Sequence, residues 1–182
     1  MLYEQTSVTS ELPPPLLVRS VDSVFIPPQR GQFIVREMYV EGPPVLLERA
    51  SIERVSRDFN EVFLGGEGKV ENHLGGHWVR HGVLSRQASV PQLIKVLGGE
   101  GNVEVQLSTV YAMMVRHEGD DLVLGNKFHN KRFFVRDAAG ILRVVGIVWG
   151  VTGWVIVTYP INSSGGVELE QTSVFSSNAI HR

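Results

Sequence analysis

Arg132-Phe133-Phe134-Val135-Arg136, then Asp137-Ala138-Ala139-Gly140, then Ile141-Leu142-Arg143-Val144-Val145-Gly146-Ile147-Val148-Trp149 is the stretch on which the fold turns. Two runs of β-branched and aromatic residues flank four turn-compatible ones, so the segment reads as two antiparallel strands with a tight connection. A third run, residues 154–161, follows across Gly150-Val151-Thr152-Gly153. Residues 103–115, 122–124 and 167–174 extend the pattern. Glu118-Gly119-Asp120-Asp121 and residues 162–166 supply the other turns, and the second half of the chain reads as a strand meander.

Upstream the pattern becomes helical. Ser51 is an N-cap type, and Ile52, Val55, Phe59, Val62 and Phe63 recur at helical spacing until Gly65-Gly66. Ser89 precedes Val90-Pro91, a proline tolerated in a first turn, and Leu93, Ile94 and Leu97 carry an apolar face as far as Gly98-Gly99. The near copies Leu64-Gly65-Gly66-Glu67-Gly68-Lys69-Val70-Glu71 and Leu97-Gly98-Gly99-Glu100-Gly101-Asn102-Val103-Glu104 read as one helix-ending device used twice, each followed by a strand start. Neither is a phosphate-binding P-loop, because Val70 stands where a hydroxyl is required.

Helices followed by strands predict an α+β fold: two or three short helices packed on an antiparallel β-sheet meander. Pro13-Pro14-Pro15 and Pro27-Pro28 exclude helix near the start. Residues 1–31 therefore read as an extended proline-rich arm, with short strands near 16–18 and 23–26. Residues 32–182 form a single domain that opens with a strand over 33–40.

A chain of 182 residues with 43% hydrophobic and 20% charged residues has the composition of a folded domain. A net charge of -2 gives no global attraction to nucleic acid or anionic membrane, so an RNA partner needs a local basic patch. The absence of cysteine excludes disulfides, thiolate metal sites and a cysteine nucleophile. The apolar region 141–161 is broken by Arg143, Gly146, Gly150 and Gly153, which suits strands and not a membrane span. Met1-Leu2-Tyr3-Glu4 lacks the regions of a secretory signal. The expectation is a soluble protein with no membrane partner, cytoplasmic or delivered to a target cell.

Three of the six histidines, His73, His77 and His81, stand four apart. A zinc site on a helix would use that spacing, but Gly75-Gly76 interrupts it and no glutamate follows His77 as in His-Glu-x-x-His. No metal or other cofactor is therefore expected, and His77 and His81 are left as a pair sharing a helical turn. Such a pair suits RNA cleavage by 2′-hydroxyl attack, which needs a base, an acid and a charge-stabilising donor. His77 would be the base, and His81 the acid or a phosphate binder. Arg80 would contact phosphate, with Lys127, His129, Lys131 and Arg132 as further polar groups, and Thr158 and Tyr159 close a strand. The plainer reading is a solvated histidine loop, a polar hairpin tip and core tryptophans at 149 and 154.

Gly75-Gly76-His77 and Val155-Ile156-Val157-Thr158-Tyr159-Pro160 resemble the motifs of the barnase–EndoU–colicin–RelE group of RNases, over roughly residues 70–161. Phe128-His129-Asn130, with Phe133-Phe134 and Gly140, is similar to the second-histidine motif of eukaryotic-type EndoU enzymes, in which His117 would be the upstream histidine. The resemblance implies a metal-independent endoribonuclease of bacterial toxin type, Thr158 and Tyr159 facing the RNA, and an immunity protein as partner. The other class of function is a structural or interaction protein of a virion or another assembly, its arm and its tail after Asn162 clasping neighbouring subunits.

Overall fold

Successive side chains of a strand point to opposite faces, so Lys131, Phe133 and Val135 turn one way while Arg132, Phe134 and Arg136 turn the other. The computed structural model, which describes residues 18–43, 49–72, 74–85, 88–119, 124, 129–162 and 172–177, builds a seven-stranded sheet around that run. Nine strands are described: β1 (Val18–Ile26), β2 (Phe33–Ile34), β3 (Ile52–Val55), β4 (Val70–Glu71), β5 (His77–Leu84), β6 (Lys131–Arg136), β7 (Leu142–Trp149), β8 (Trp154–Pro160) and β9 (Ser173–Ser177). The main sheet runs β1-β5-β9-β6-β7-β8-β3, and β2 pairs with β4 apart from it. The hairpins β6-β7 and β7-β8 are the meander expected from the sequence. β9 inserts between β5 and β6, antiparallel to the first and parallel to the second, and β3 lies parallel to β8 at the far edge.

The helical segments are α1 (Val35–Met38), α2 (Arg57–Phe59, continued by a π turn over Asn60–Leu64), α3 (Val90–Val96), α4 (Glu100–Val103) and α5 (Leu107–Gly119). The class is α+β, with more and mostly shorter helices than expected. The inner face of the sheet packs Val79, Phe175, Phe133, Val145 and Ile156 beneath α1, α2 and α5. On the outer face Val174, Phe134 and Val144 lie beneath Leu93 and Ile94 of α3 and Val103 of α4. Ser89 caps α3 as expected: its hydroxyl accepts from Gln92 N while the Gln92 side chain accepts from Ser89 N.

Several expected elements are corrected. The stretch 103–115 is not a strand. Val103, Val105 and Leu107 alternate, but Leu107, Val110, Tyr111 and Met114 repeat at helical spacing and build the buried stripe of α5. Ser51 caps no helix, because Ile52–Val55 is β3 and the helix starts one step later. There the Ser56 hydroxyl accepts from Phe59 N at 3.2 Å. A register shift between Ile52 and Arg54 lets Ile52 and Val55 both face the core, and their spacing imitates a helix. The two glycine copies lead into different elements, since Val70–Glu71 is β4 whereas Glu100–Val103 is helical. The run 33–40 is a two-residue strand followed by α1.

Residues 18–26 of the expected arm form a strand that pairs with β5, and it takes in the short strand expected near 23–26. Residues 1–17, 122–123 and 163–171 lie outside the described residues, along with the features expected there. Among the described residues no helix is long and apolar enough to cross a membrane.

Gly153 is where β3 meets the β7-β8 turn. A Cβ there would stand 2.5 Å from Ser51 O and 3.0 Å from Glu53 N, backbone atoms that cannot swing aside. Ser51 O also accepts from Trp154 N at 2.8 Å, so a methyl would push the edge strand off its hydrogen bond. Gly153→Ala is expected to cost about 2 kcal/mol in urea unfolding, within the range for overpacking. Gly75→Ala, which adds a methyl into open space, is the control expected to change little.

Candidate functional site

β5 carries the histidines and sorts them by alternation. His77, Val79 and His81 face inward, while Trp78 and Arg80 face outward. His77 and His81 lie on a strand and not on a helical turn, about 13 Å apart at strand rise. They do not meet over one phosphate.

The register across the sheet then decides the fate of Thr158. Asp22, His81, Phe175, Phe133, Val145 and Thr158 are successive partners in one row across β1, β5, β9, β6, β7 and β8. Four strand spacings separate His81 from Thr158, about 19 Å. Thr158 is buried, and its hydroxyl donates to Val144 O at 3.0 Å. Tyr159, one residue on, faces the opposite side, where its ring lies 4.9 Å from the Arg132 guanidinium carbon. The expected set of His77, His81, Thr158 and Tyr159 is therefore dispersed, with Arg80 and Tyr159 on the outer face and the others on the inner.

His81 is half-buried beside the buried Ser173 and Lys131. Its ring stacks on Phe175 (4.7 Å, 6°), Phe175 stacks on Phe133, and His81 Nε2 is 2.9 Å from Ser173 Oγ. Desolvation lowers the His81 pKa, the Lys131 charge adds to that, and Asp22 opposes it. Lys131 is buried, donates to His129 O at 2.7 Å, and is brought down to about 8 by desolvation. Its ammonium lies 6.0 Å from the Trp154 ring, and buried His117 lies 5.4 Å from the same ring. His117, Lys131 and His81 thus sit within the packed inner layer. His129 contributes its carbonyl, and Lys127 and Phe128 lie outside the described residues.

His77 has a different setting. Its Nδ1 is 3.0 Å from Gly75 O, and because a carbonyl only accepts, Nδ1 carries the proton. The other ring nitrogen, Nε2, lies 3.0 Å from the Thr109 hydroxyl. Thr109 lies in the first turn of α5, and Glu71 fixes that turn by accepting from Leu107 N (2.9 Å) and Ser108 N (2.8 Å). His77 and Thr109 line a cleft of about 210 Å³ together with Glu104, Gln106 and Ser177. Residues 104 and 105 form its wall by running beside β6, with Val105 N donating to Phe134 O at 2.8 Å. The Glu104 carboxylate accepts from Arg136 Nε at 3.0 Å, and Arg136 also binds Glu100 at 2.8 Å.

Of the expected catalytic residues, His77 is the one that lines this cleft; Glu104 and Thr109 were hidden in a segment that alternates like a strand. His73 lies outside the described residues, and among those described no three metal-binding side chains converge. Comparison of the chain with protein-family models, with curated proteins and with solved structures finds no match.

Proposed function

We propose that the cleft at His77 is the active site of a metal-independent endoribonuclease, with the catalytic pair revised to His77 and Glu104. The observation that carries this reading is that an imidazole anchored by Gly75 O and the Thr109 hydroxyl and a carboxylate held by arginine line one cleft. Glu104 takes the proton from a ribose 2′-hydroxyl, and that oxygen attacks the adjacent phosphorus. The bond from phosphorus to the 5′-oxygen breaks as the protonated form of His77 gives its Nε2 proton to the leaving oxygen. The products are a 2′,3′-cyclic phosphate and a free 5′-hydroxyl. Arg136 holds the Glu104 carboxylate in place, and the Thr109 hydroxyl sets the direction of Nε2. An assembly subunit, the other class of function, gains no specific support from an arm whose residues 18–26 are taken into the sheet.

The test is incubation of the purified chain with a synthetic RNA in excess chelator, followed by chromatography for the cyclic phosphate. His77→Ala and Glu104→Gln are each expected to lower the rate by about 10²–10⁴-fold, the usual weight of one acid or base. Thr158→Val, across the sheet, is expected to leave it unchanged. Absence of cyclic product from the unaltered chain, or undiminished cleavage by His77→Ala, refutes the assignment.

A further inference from the structure

On the outer face at the β1–β5 end of the sheet, two large aromatic side chains stand open to solvent. Phe25 is 41% exposed and Trp78 54% exposed, although both lie within paired strands. They are cross-strand partners with ring centroids 5.2 Å apart at 55°. Burial is not what positions them. A Cβ on Gly76 would stand 2.8 Å from the Phe25 ring and 3.2 Å from Pro28 Cδ, so the glycine lets the chain pass close beneath Phe25.

Among the described residues, the charged side chains that β5 and the start of β6 turn outward near these rings are arginines. Arg80 follows Trp78 on the same side and is exposed, opposite Ser23 of β1 and Ser176 of β9. Two strands further on, Arg132 lies flat across Gly146, whose added Cβ would be 2.8 Å from Nη1, and against the Tyr159 ring. The Arg132 Nε is buried with no hydrogen-bond partner. No carboxylate occupies an outward position of β1, β5, β9 or β6; Asp22, their one acidic residue, sits opposite His81 on the inward row. In a chain of net charge -2, a face of two arginines and three aromatic rings is a local reversal.

We infer that this face binds single-stranded RNA, with unpaired bases stacking on Trp78 and Phe25 and backbone phosphates meeting Arg80 and Arg132. Aromatic rings accept any base whose flat face is free, and a duplex covers those faces, so the preference is for unpaired strands. The location suits a substrate. Trp78 adjoins His77 in the chain, and Ile26, beside Phe25, is the cross-strand partner of His77. A strand crossing the edge at Gly76 therefore passes from the aromatic ledge to the cleft. The choice of RNA rests on the cleft reading, while the ledge itself rests on exposure and charge.

The test uses the full chain and a fluorescein-labelled octauridylate with 2′-O-methyl groups, which can bind but cannot be cleaved by 2′-attack, read by anisotropy. Trp78→Ala and Phe25→Ala are each expected to weaken binding by roughly 5- to 100-fold, as removal of one stacking partner does, and Trp78→Phe to restore most of it. Arg80→Gln should lower the slope of log affinity against log salt by about 0.7, one single-strand phosphate contact. A duplex of equal length should bind more weakly. Both aromatic substitutions sit on the surface, and unchanged circular dichroism confirms the fold. Unaltered affinity in Trp78→Ala and Phe25→Ala, or equal affinity for duplex and single strand, overturns the proposal. An unaltered chain that binds the oligonucleotide through these rings but yields no cyclic phosphate counts against the cleft alone.

Discussion

Replacing Glu71 with alanine is expected to destabilise the protein by about 4 kcal/mol, since it breaks a buried ion pair and a helix cap together. The carboxylate is 3% exposed and accepts from Leu107 N and Ser108 N at the start of α5. Helix starts leave amide N–H groups without internal partners, and the helix dipole favours negative charge there. The same carboxylate pairs with Lys69 at 2.9 Å, and the Lys69 side chain is itself largely buried. Alanine therefore leaves two buried amides without their acceptor and takes the counter-ion from the Lys69 ammonium, which keeps its bond to Arg136 O. Because α5 carries Leu107, Val110, Met113 and Met114 into the core, the loss is shared by the whole inner layer. Urea unfolding measures it. A loss below about 1 kcal/mol, the worth of an ordinary surface cap, would refute the role given to Glu71.

The second large effect depends on pH. Lys131 is buried and titrates near 8, against 10.5 for an unhindered amine. Between those values the unfolded chain holds a proton there that the folded chain does not, so stability rises with pH across the window. Below 8 both states are protonated and the full penalty of the buried charge is present. Above 10.5 neither state carries the proton and the penalty has gone. The depression from 10.5 to 8 corresponds to about 3 kcal/mol. Lys131→Met keeps the volume and removes the charge, at the cost of the bond to His129 O, and is expected to gain about 2 kcal/mol at pH 7. That advantage should vanish as the pH is raised from 8 to 10.5. A difference between the two proteins that stays flat over this range would show that Lys131 keeps its ordinary pKa.

The hairpins β6-β7 and β7-β8 were legible because each pairs a strand-forming run with a turn between neighbours in sequence. The α3 cap was equally legible, since Ser89 and Gln92 satisfy each other within one turn. Ile52 and Leu107 failed for the opposite reason. Ile52 is spaced like a helix but pairs with Trp154, more than a hundred residues away, and Leu107 sits at the end of an alternating run but starts a helix. In both places the backbone partner is distant: β8 for β3, and Glu71 for the start of α5.

The candidate site divides in the same way. The sequence alone marked His77 as a group able to move protons, and its glycine neighbours as a break before it. Which partner His77 has is a tertiary matter. Strand alternation puts four-residue neighbours on one face but about 13 Å apart, so His81 is carried away to stack on Phe175. The insertion of β9 between β5 and β6 puts Thr158 four strands from His81. Thr109 and Glu104 arrive instead from a helix start and a connecting segment. Local pattern determines backbone state where hydrogen bonds close between near neighbours. The company a side chain keeps is set by strand order and register, which depend on pairings spread over the whole chain.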